Sequence, residues 1–220
     1  MKILTDLNEP ILFRTTDAEV YEATTKRGSI WLRSDQYFRN VEDSIRADLS
    51  EGINSSRLAI PLHFEFHNGP AFQIAGSGLV GQQITPHYIL SLHGNSISAE
   101  QLSSFGGHTF GVKSLSRLSA EVLYRATSAI TCTGYRYGPV HYQRTSLCTT
   151  PSPIGSAAIQ LRESPPLYLN PINTDVLRKD PILPFIEQDE WRIAVFTDGY
   201  LNGDSNAPLK IEVDPSHFFV

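Results

Sequence analysis

The chain is poor in cysteine, has no long apolar segment and carries no excess of positive charge. Its two cysteines, Cys132 and Cys148, are too few for a disulfide framework or a four-cysteine zinc site, so we expect two reduced thiols. No segment approaches the roughly 18 consecutive apolar residues that a membrane helix needs. The N-terminal stretch "MKILTDLNEP" lacks the apolar core of a secretory signal. These absences predict a cytoplasmic protein without a membrane partner.

The net charge of −5 argues against a protein that binds nucleic acid through bulk electrostatic attraction. It does not exclude an enzyme that acts on nucleic acid transiently. No two histidines lie four residues apart on a predicted helix, so no metal site is predicted. The chain also lacks the Gly-x-Ser-x-Gly elbow of many hydrolases and the lysine-containing Gly-rich loop that cradles phosphates.

A chain of 220 residues that is 40% hydrophobic can bury one good core, so residues 1–220 are predicted to form a single domain. Strands are predicted by alternation at 10–16, 29–35, 58–66, 87–94, from 108, within 129–144 and at 191–196. Helices are predicted from Thr16 to Gly28 through a capping box with Glu19, before Gly52, after Ser98, and from about residue 116. Residues 149–184 are rich in proline and predict a long connection. The predicted fold is α+β, with a split mixed or antiparallel β-sheet core and few peripheral helices.

Polar residues stand at the ends of three predicted strands. Arg14 ends the first strand, and Ser34 closes the second, followed by Tyr37 and Phe38. The triplet "QDE", residues 188–190, precedes the buried strand at 191–196. A carboxylate at the mouth of an apolar strand is partly desolvated, which is unfavourable unless it is paired or binds a ligand. Glu190 is therefore either paired inside the fold or part of a binding site.

The order of these elements resembles the Arg–Ser–Glu class of mono-ADP-ribosyltransferases, in which a Gln-x-Glu or Glu-x-Glu turn precedes the last catalytic strand. A distantly similar layout occurs in an uncharacterised bacterial family, matched here by "ILFRTTDAEVYEATTKRGSIWLRSD", "RNVEDSIRADLSEG", "GPVHYQR" and "EQDEWRI". The resemblance implies an ADP-ribosyltransferase-like fold and a toxin-type enzyme that uses NAD as its substrate. Such an enzyme cleaves the nicotinamide–ribose bond and transfers ADP-ribose to a protein or nucleic acid. A toxin–antitoxin or phage-defence setting, with an antitoxin or inhibitor as partner, is also implied.

The resemblance assigns catalytic roles to Glu190, Gln188 and Arg14. Glu190 would stabilise an oxocarbenium-like transition state, and Gln188 would help to choose the acceptor. Arg14 would bind the pyrophosphate of NAD in two-pronged fashion. The alternative register, Glu187-x-Asp189, is left open by the sequence.

Further residues are predicted to bind NAD. Ser34 would form a hydrogen bond near Glu190, and Tyr37 or Phe38 would stack on the nicotinamide ring. The remaining candidates are Thr15 beside Arg14, Asn40, which would contact the adenosine or the acceptor, and His93 at a strand end. Candidate cations for one side of the cleft are Arg33, Arg39, Arg46 and Arg57.

Structural roles for the same residues remain as alternatives. Glu190 could pair with Arg192 or Arg33, and Arg14 could pair with Asp17 or Glu51. The second functional hypothesis is a degenerate module that binds NAD or a partner protein without turnover.

Overall fold

The structure is a computed structural model. It describes residues 9–40, 53–58, 62–65, 71–74, 78–83, 86–95, 97–142, 157–160, 167–169, 176–179 and 188–220. These fall into two compact units where the sequence predicts a single domain. The first lies within Met1–Glu51, Thr85–Tyr142 and Val176–Val220, and the second within Gly52–Ile84 and Gln143–Asp175.

The described residues form short strands and four α-helices. In chain order the strands are β1 (Leu12–Thr16), β2 (Ser29–Ser34), β3 (Ile53–Leu58), β4 (Leu62–Glu65), β5 (Ala71–Ile74), β6 (Gly78–Gln83), β7 (His87–His93), β8 (His108–Val112), β9 (Cys132–Pro139), β10 (His141–Tyr142), β11 (Ala157–Gln160), β12 (Leu167–Leu169), β13 (Arg178–Lys179), β14 (Glu190–Thr197), β15 (Leu209–Glu212) and β16 (Phe218–Phe219). The helices are α1 (Ala18–Arg27), α2 (Asp35–Asn40), α3 (Ala99–Ser104) and α4 (Leu115–Ala126). The predicted α+β class, with an antiparallel sheet core and few helices, is confirmed.

The first unit is built on an eight-stranded sheet with β7 at its centre. β14 pairs antiparallel with β7 over residues 190–196, and β9 pairs with the far edge of β14. β1 pairs with β7 at His93, and β2 pairs with it at Tyr88 and Ile89. Since β14 occupies one edge of β7 throughout, β1 and β2 must share the other edge. They meet it at opposite ends, so the sheet splits between them.

The main core lies on the face of this sheet that α4 covers. Side chains alternate along β7, so Tyr88, Leu90 and Leu92 are buried in this core, against Leu118 and Val122 of α4. Ser91 and His93 consequently point to the opposite face. That alternation places these two polar side chains of β7 on the face away from the main core, beside the gap between β1 and β2.

The first helix begins one residue later than the sequence predicts. Thr16 is the last residue of β1 and pairs with His108 of β8, and its hydroxyl donates to the backbone oxygen of Asp17 at 3.1 Å instead of accepting a helix N–H. Asp17 is the N-cap instead, and its Oδ1 accepts the N–H of Val20 at 2.8 Å. The predicted end is confirmed, because Gly28 adopts the left-handed conformation with φ of 71°.

Two further predicted helices of this unit are present. Ser98 caps α3, as predicted, and it forms a reciprocal capping box with Gln101. Ser114 caps α4, which begins at Leu115, one residue before the predicted start.

In the second unit, the strands that the structure describes pair in antiparallel fashion. β3 pairs with β6, and a four-stranded sheet has the order β12-β11-β4-β5. The strand predicted at 58–66 is present in its second half as β4, and Leu58 is the last residue of β3. Residues 59–61 and 66 lie outside the described residues. The long connection predicted at 149–184 contains β11 and β12. Ala158 of β11 pairs with Glu65 of β4, a partner too distant in the chain for local periodicity to reveal.

Some predictions fall outside the described residues, namely the helical turn before Gly52, the thiol of Cys148, and Glu187. Cys132 is a free cysteine. Within the described part of the chain, no helix has both the length and the apolar character needed to cross a membrane.

Candidate active site

A cleft of about 420 Å³ opens where β1 and β2 separate along β7. Its walls come from β1, α1, β2, α2, β7, the residue after α3 and the start of β14. The volume falls within the range of small-molecule sites, roughly 300–1,000 Å³. All of these elements belong to the first unit.

Glu190, the predicted catalytic carboxylate, lines this cleft and is only 6% exposed. Its Oε1 accepts a hydrogen bond from the hydroxyl of Ser91 at 2.8 Å and another from Nε of Arg192 at 2.8 Å. Its backbone N–H donates to the hydroxyl oxygen of Tyr142 at 3.1 Å. Contacts with β7 and β14 thus orient the carboxylate, and the contact with β10 holds the backbone of the same residue.

Arg192 forms a buried ion pair with Glu190. The two residues are two positions apart on β14 and so share a face of the strand. Arg192 is 2% exposed, and its Nη1 also donates to the backbone oxygen of Val176 at 2.8 Å. The pairing that the sequence left as an alternative for Glu190 is therefore present, and it supplies the counter-charge that a buried carboxylate needs.

We expect Arg192→Met to lower the free energy of unfolding by about 3–5 kcal/mol, because the buried Glu190 would lose the guanidinium that pairs with it. Arg125→Met is the matched control. Arg125 pairs with Glu121 at 3.1 Å, but its side chain is 49% exposed, and such pairs contribute at most about 1 kcal/mol. Urea unfolding measures the stability of both variants. Equal losses of unfolding free energy would contradict a larger contribution from the buried pair.

The turn before β14 sends neighbouring side chains in different directions. Gln188 and Glu190 line the cleft, whereas Asp189 packs against Gly94. Asp189 has φ of 42°, and its backbone oxygen accepts the N–H of Gly94 at 2.9 Å. The Gln188-x-Glu190 register thus faces the cleft, and Asp189, the second residue of the alternative register, does not line it.

A side chain at Gly94 would disturb this turn. An added Cβ would lie 1.8 Å from Oδ2 of Asp189, so we expect Gly94→Ala to destabilise the protein by about 1–3 kcal/mol. Asp189→Gly in the same chain removes the clashing carboxylate and suits the left-handed backbone, so the double variant should recover stability. Thermal unfolding of both variants tests this. An unchanged Gly94→Ala protein, or a double variant without recovery, would contradict the expectation.

Arg14 lies where β1 and β2 separate, and it lines the cleft. Its Nη2 donates a long hydrogen bond, 3.4 Å, to the backbone oxygen of Trp31 on β2, so the guanidinium bridges the two separating strands. Burial, with a smaller contribution from nearby Arg33, lowers the pKa of Arg14 to about 10. Among the described residues, Arg14 forms no ion pair with a carboxylate, Asp17 included. A charged guanidinium in these surroundings is suited to an anionic ligand.

Aromatic rings and a second arginine form part of the cleft wall. Trp31 and Arg33 come from β2, and the predicted Tyr37 and Phe38 come from α2. The Cζ atom of Arg33 lies 4.3 Å from the centre of the Tyr37 ring and 5.4 Å from the centre of the Trp31 ring. Tyr37 and Phe38 meet edge to face, with ring centres 5.5 Å apart. The cleft therefore offers both apolar rings and positive charge.

Thr15 and His93 form a hydrogen-bonded pair in the cleft. Nδ1 of His93 lies 2.8 Å from the backbone oxygen of Gly94, which can only accept, so Nδ1 carries the proton. Nε2 then accepts from the Thr15 hydroxyl at 2.9 Å. Burial lowers the pKa of His93, although the Gly94 carbonyl and Asp189 act in the opposite direction. The ring is therefore neutral at neutral pH.

Two predicted NAD-binding residues do not line the cleft. Ser34 is fully buried on the core side of β2, where its hydroxyl donates to the backbone oxygen of Ser205 and accepts the N–H of Tyr37 at 3.0 Å. Alternation along β2 points Trp31 and Arg33, rather than Ser34, toward the cleft. Asn40 is exposed, and its Nδ2 lies 3.3 Å from Oδ1 of Asn206.

The hydroxyl predicted to contact Glu190 comes from Ser91 rather than Ser34. Sequence reasoning missed Ser91 and Tyr142. In "HYILSLHG", Ser91 interrupts an apolar strand on the same side as His93, and that interruption is the one local signal for its role. Tyr142 carries no such signal, because its contact depends on how β10 lies beside β14.

Of the four arginines proposed for the cleft, the structure describes the side chains of two, and one of these lines the cleft. Arg33 lines it, whereas Arg39 pairs with the fully buried Asp35 at 2.6 Å. Arg46 and the side chain of Arg57 lie outside the described parts of the structure. Of the residues that are described, no group of three or more His, Cys, Asp or Glu is placed to hold a metal ion.

Comparisons of the chain with protein-family models, with curated proteins and with solved structures found no match. The residues of the cleft are therefore the basis for inferring function.

Proposed function

We propose that the chain is an NAD-dependent ADP-ribosyltransferase whose split sheet is ADP-ribosyltransferase-like. One observation carries this proposal. A single cleft contains Glu190, an oriented carboxylate, together with Arg14, a guanidinium without a carboxylate partner among the described residues. These charges complement NAD, which has a cationic nicotinamide riboside and an anionic pyrophosphate.

Glu190 acts on the ribose. Cleavage of the nicotinamide–ribose bond resembles glycoside cleavage and passes through an oxocarbenium-like transition state, which a carboxylate beside C1′ stabilises. The electron pair of the C1′–N bond leaves with nicotinamide, and C1′ bonds to a nucleophilic atom of the acceptor, which loses a proton. NAD and the acceptor thus become nicotinamide, ADP-ribosylated acceptor and a proton. A preorganised group of this kind commonly contributes about 3–4 kcal/mol.

The other cleft residues bind the rest of NAD. Arg14 and Arg33 bind the pyrophosphate, because a guanidinium can donate two parallel hydrogen bonds to phosphate oxygens. Tyr37 or Phe38 stacks on the nicotinamide ring. Ser91 acts as a positioning residue, since its hydroxyl holds Oε1 of Glu190.

Gln188 contributes to acceptor choice in this proposal. It lines the cleft two residues before Glu190. In the enzymes that the sequence resembles, glutamine at this place accompanies amide, thiol or nucleobase acceptors, whereas glutamate accompanies arginine. A side-chain amide can donate and accept hydrogen bonds with such a group.

An enzyme that consumes NAD inside its own cell must be restrained. We therefore extend the proposal to a cytoplasmic toxin or phage-defence effector that is held inactive by an antitoxin or inhibitor. Co-purification from the native host, followed by loss of inhibition when the partner is removed, tests this extension.

The direct test is incubation of the purified protein with NAD that carries its label in the adenylate, with and without cell lysate. Label transferred to a macromolecule, together with nicotinamide release, supports the proposal. Free ADP-ribose without labelled macromolecule would indicate an NAD hydrolase. Intact NAD after incubation of a folded protein with lysate would overturn the proposal.

A second candidate is favoured by the buried pair of Glu190 and Arg192, which satisfies the carboxylate inside the fold. In that case the cleft binds NAD or a partner without turnover. Calorimetry would then detect NAD binding while chromatography detects no nicotinamide.

A further inference from the structure

A row of cations and aromatic rings runs from the cleft onto β15. The ammonium of Lys210 lies 3.8 Å from the centre of the Trp31 ring, and the two residues are paired across β15 and β2. Arg33 lies over the same ring and over Tyr37. We call Lys210, Trp31, Arg33 and Tyr37 the cationic ladder.

The positive charges of this ladder are available to an external anion. Among the described residues, neither Arg33 nor Lys210 forms an ion pair with a carboxylate, whereas Arg39, Arg125 and Arg192 each do. A ring attracts a cation without neutralising it. Glu212 follows Lys210 on the same face of β15, opposite Ser29, so the ladder is bounded by one carboxylate at that end.

The ladder extends further than bound NAD requires. Arg14 and Arg33 line the cleft and suffice for one pyrophosphate, whereas Lys210 is exposed and is not a lining residue. Its charge therefore suits a second anionic group outside the cleft, on the ligand that meets NAD there.

Access to Glu190 restricts the form of that ligand. Glu190 is 6% exposed, so only a slender group can reach it. A base that is stacked and paired in a duplex cannot enter, whereas an unpaired base can. Cations combined with aromatic rings are also the usual composition of single-strand binding sites.

We propose that the acceptor is a single-stranded nucleic acid that has one phosphate bound to Lys210 and one base inserted into the cleft beside Gln188 and Glu190. This inference rests on the proposed transferase function. A nitrogen or oxygen of the base bonds to C1′ of the ribose as the bond from C1′ to nicotinamide breaks, and the base releases one proton to solvent. The amide of Gln188 can pair with the edge of the base, as glutamine does with adenine in DNA.

Lys210→Gln tests the ladder without altering the cleft lining. Its matched control is Arg125→Gln, because Arg125 also lies near a ring, 5.9 Å from the centre of Tyr124, but is paired with Glu121. Fluorescence anisotropy with labelled twelve-nucleotide single strands, one DNA and one RNA, measures binding between 50 and 200 mM salt without NAD. The oligonucleotide that binds more tightly identifies the preferred nucleic acid, DNA or RNA.

We expect the wild type to bind and Lys210→Gln to bind about 3–10-fold more weakly. The slope of log K against log salt should fall by about 0.7 for the lost phosphate contact. Arg125→Gln should bind as the wild type does. Absence of wild-type binding, or equal binding by the two variants, would overturn the inference.

NAD cleavage by the same proteins separates this inference from the proposed function. Lys210→Gln should release nicotinamide at the wild-type rate without acceptor but transfer less ADP-ribose to the strands. Label that enters only protease-sensitive material would overturn the nucleic-acid acceptor and leave the transferase intact. Binding of strands without any NAD cleavage would overturn the transferase and the acceptor role together.

Discussion

Replacing Glu190 by glutamine is expected to slow nicotinamide release from NAD by about 10²–10³-fold, equivalent to about 3–4 kcal/mol of transition-state stabilisation. Glutamine has nearly the same size and can still accept a hydrogen bond from Ser91. It carries no charge, however, so it cannot stabilise the positive charge that develops at C1′. Chromatographic measurement of nicotinamide at saturating NAD gives the ratio of the two rates.

Two further variants separate catalysis from stability. Asp189→Asn makes the same carboxylate-to-amide change one residue earlier, at a side chain that does not line the cleft and in a conformation that asparagine tolerates. It should retain wild-type activity. Glu190→Gln alone removes the carboxylate that pairs with the buried Arg192, so Glu190→Gln with Arg192→Met should be the more stable of the two proteins yet equally inactive.

These variants also define the results that would contradict the assignment. If the double variant cleaves NAD at the wild-type rate, Glu190 has a structural role only. Equal losses of activity in Asp189→Asn and Glu190→Gln would mean that the turn, rather than the Glu190 carboxylate, is required.

Replacing Arg14 by methionine is expected to raise the KM for NAD by about 10–100-fold, because a hydrogen bond to a charged group contributes about 1.5–3 kcal/mol. The effect on kcat should be smaller, since the pyrophosphate is bound alike before and during reaction. Arg14→Lys should fall between the wild type and Arg14→Met, because lysine keeps the charge but loses the two-pronged geometry.

Loss of NAD binding in Arg14→Met should not come from unfolding. The pKa of Arg14 is lowered to about 10, so the native state holds the guanidinium proton less tightly than the unfolded chain does. At neutral pH the charge therefore destabilises the native state, and Arg14→Met should be at least as stable as the wild type. A marked fall in its melting temperature without NAD would contradict this account.

Thermal unfolding with NAD provides the complementary measurement. Ligand that binds only the native state raises the melting temperature, so saturating NAD should stabilise the wild type more than Arg14→Met. Arg117→Met, an exposed arginine on α4, is the control and should respond to NAD as the wild type does. An equal shift in Arg14→Met would show that Arg14 does not bind the dinucleotide.

Elements with strong local signals could be predicted from the chain to within one or two residues. The apolar run at 191–196 became β14, and Gly28 ended α1, because alternation and the left-handed preference of glycine act within a few residues. Thr16 and Asp17 show the limit of such signals. Both side chains can cap a helix, and pairing of Thr16 with β8 assigns the cap to Asp17.

The resemblance in chain order and residue type was enough to propose Arg14, Gln188 and Glu190 as members of one site. Their presence in one cleft depends on β1 and β2 sharing an edge of β7. Local sequence cannot specify this arrangement, because it arises from hydrogen bonds between strands far apart in the chain. The same register places Ser91 of β7, and not Ser34 of β2, against the carboxylate of Glu190. Alternation within a strand shows which residues share a face, but only long-range pairing establishes what that face meets.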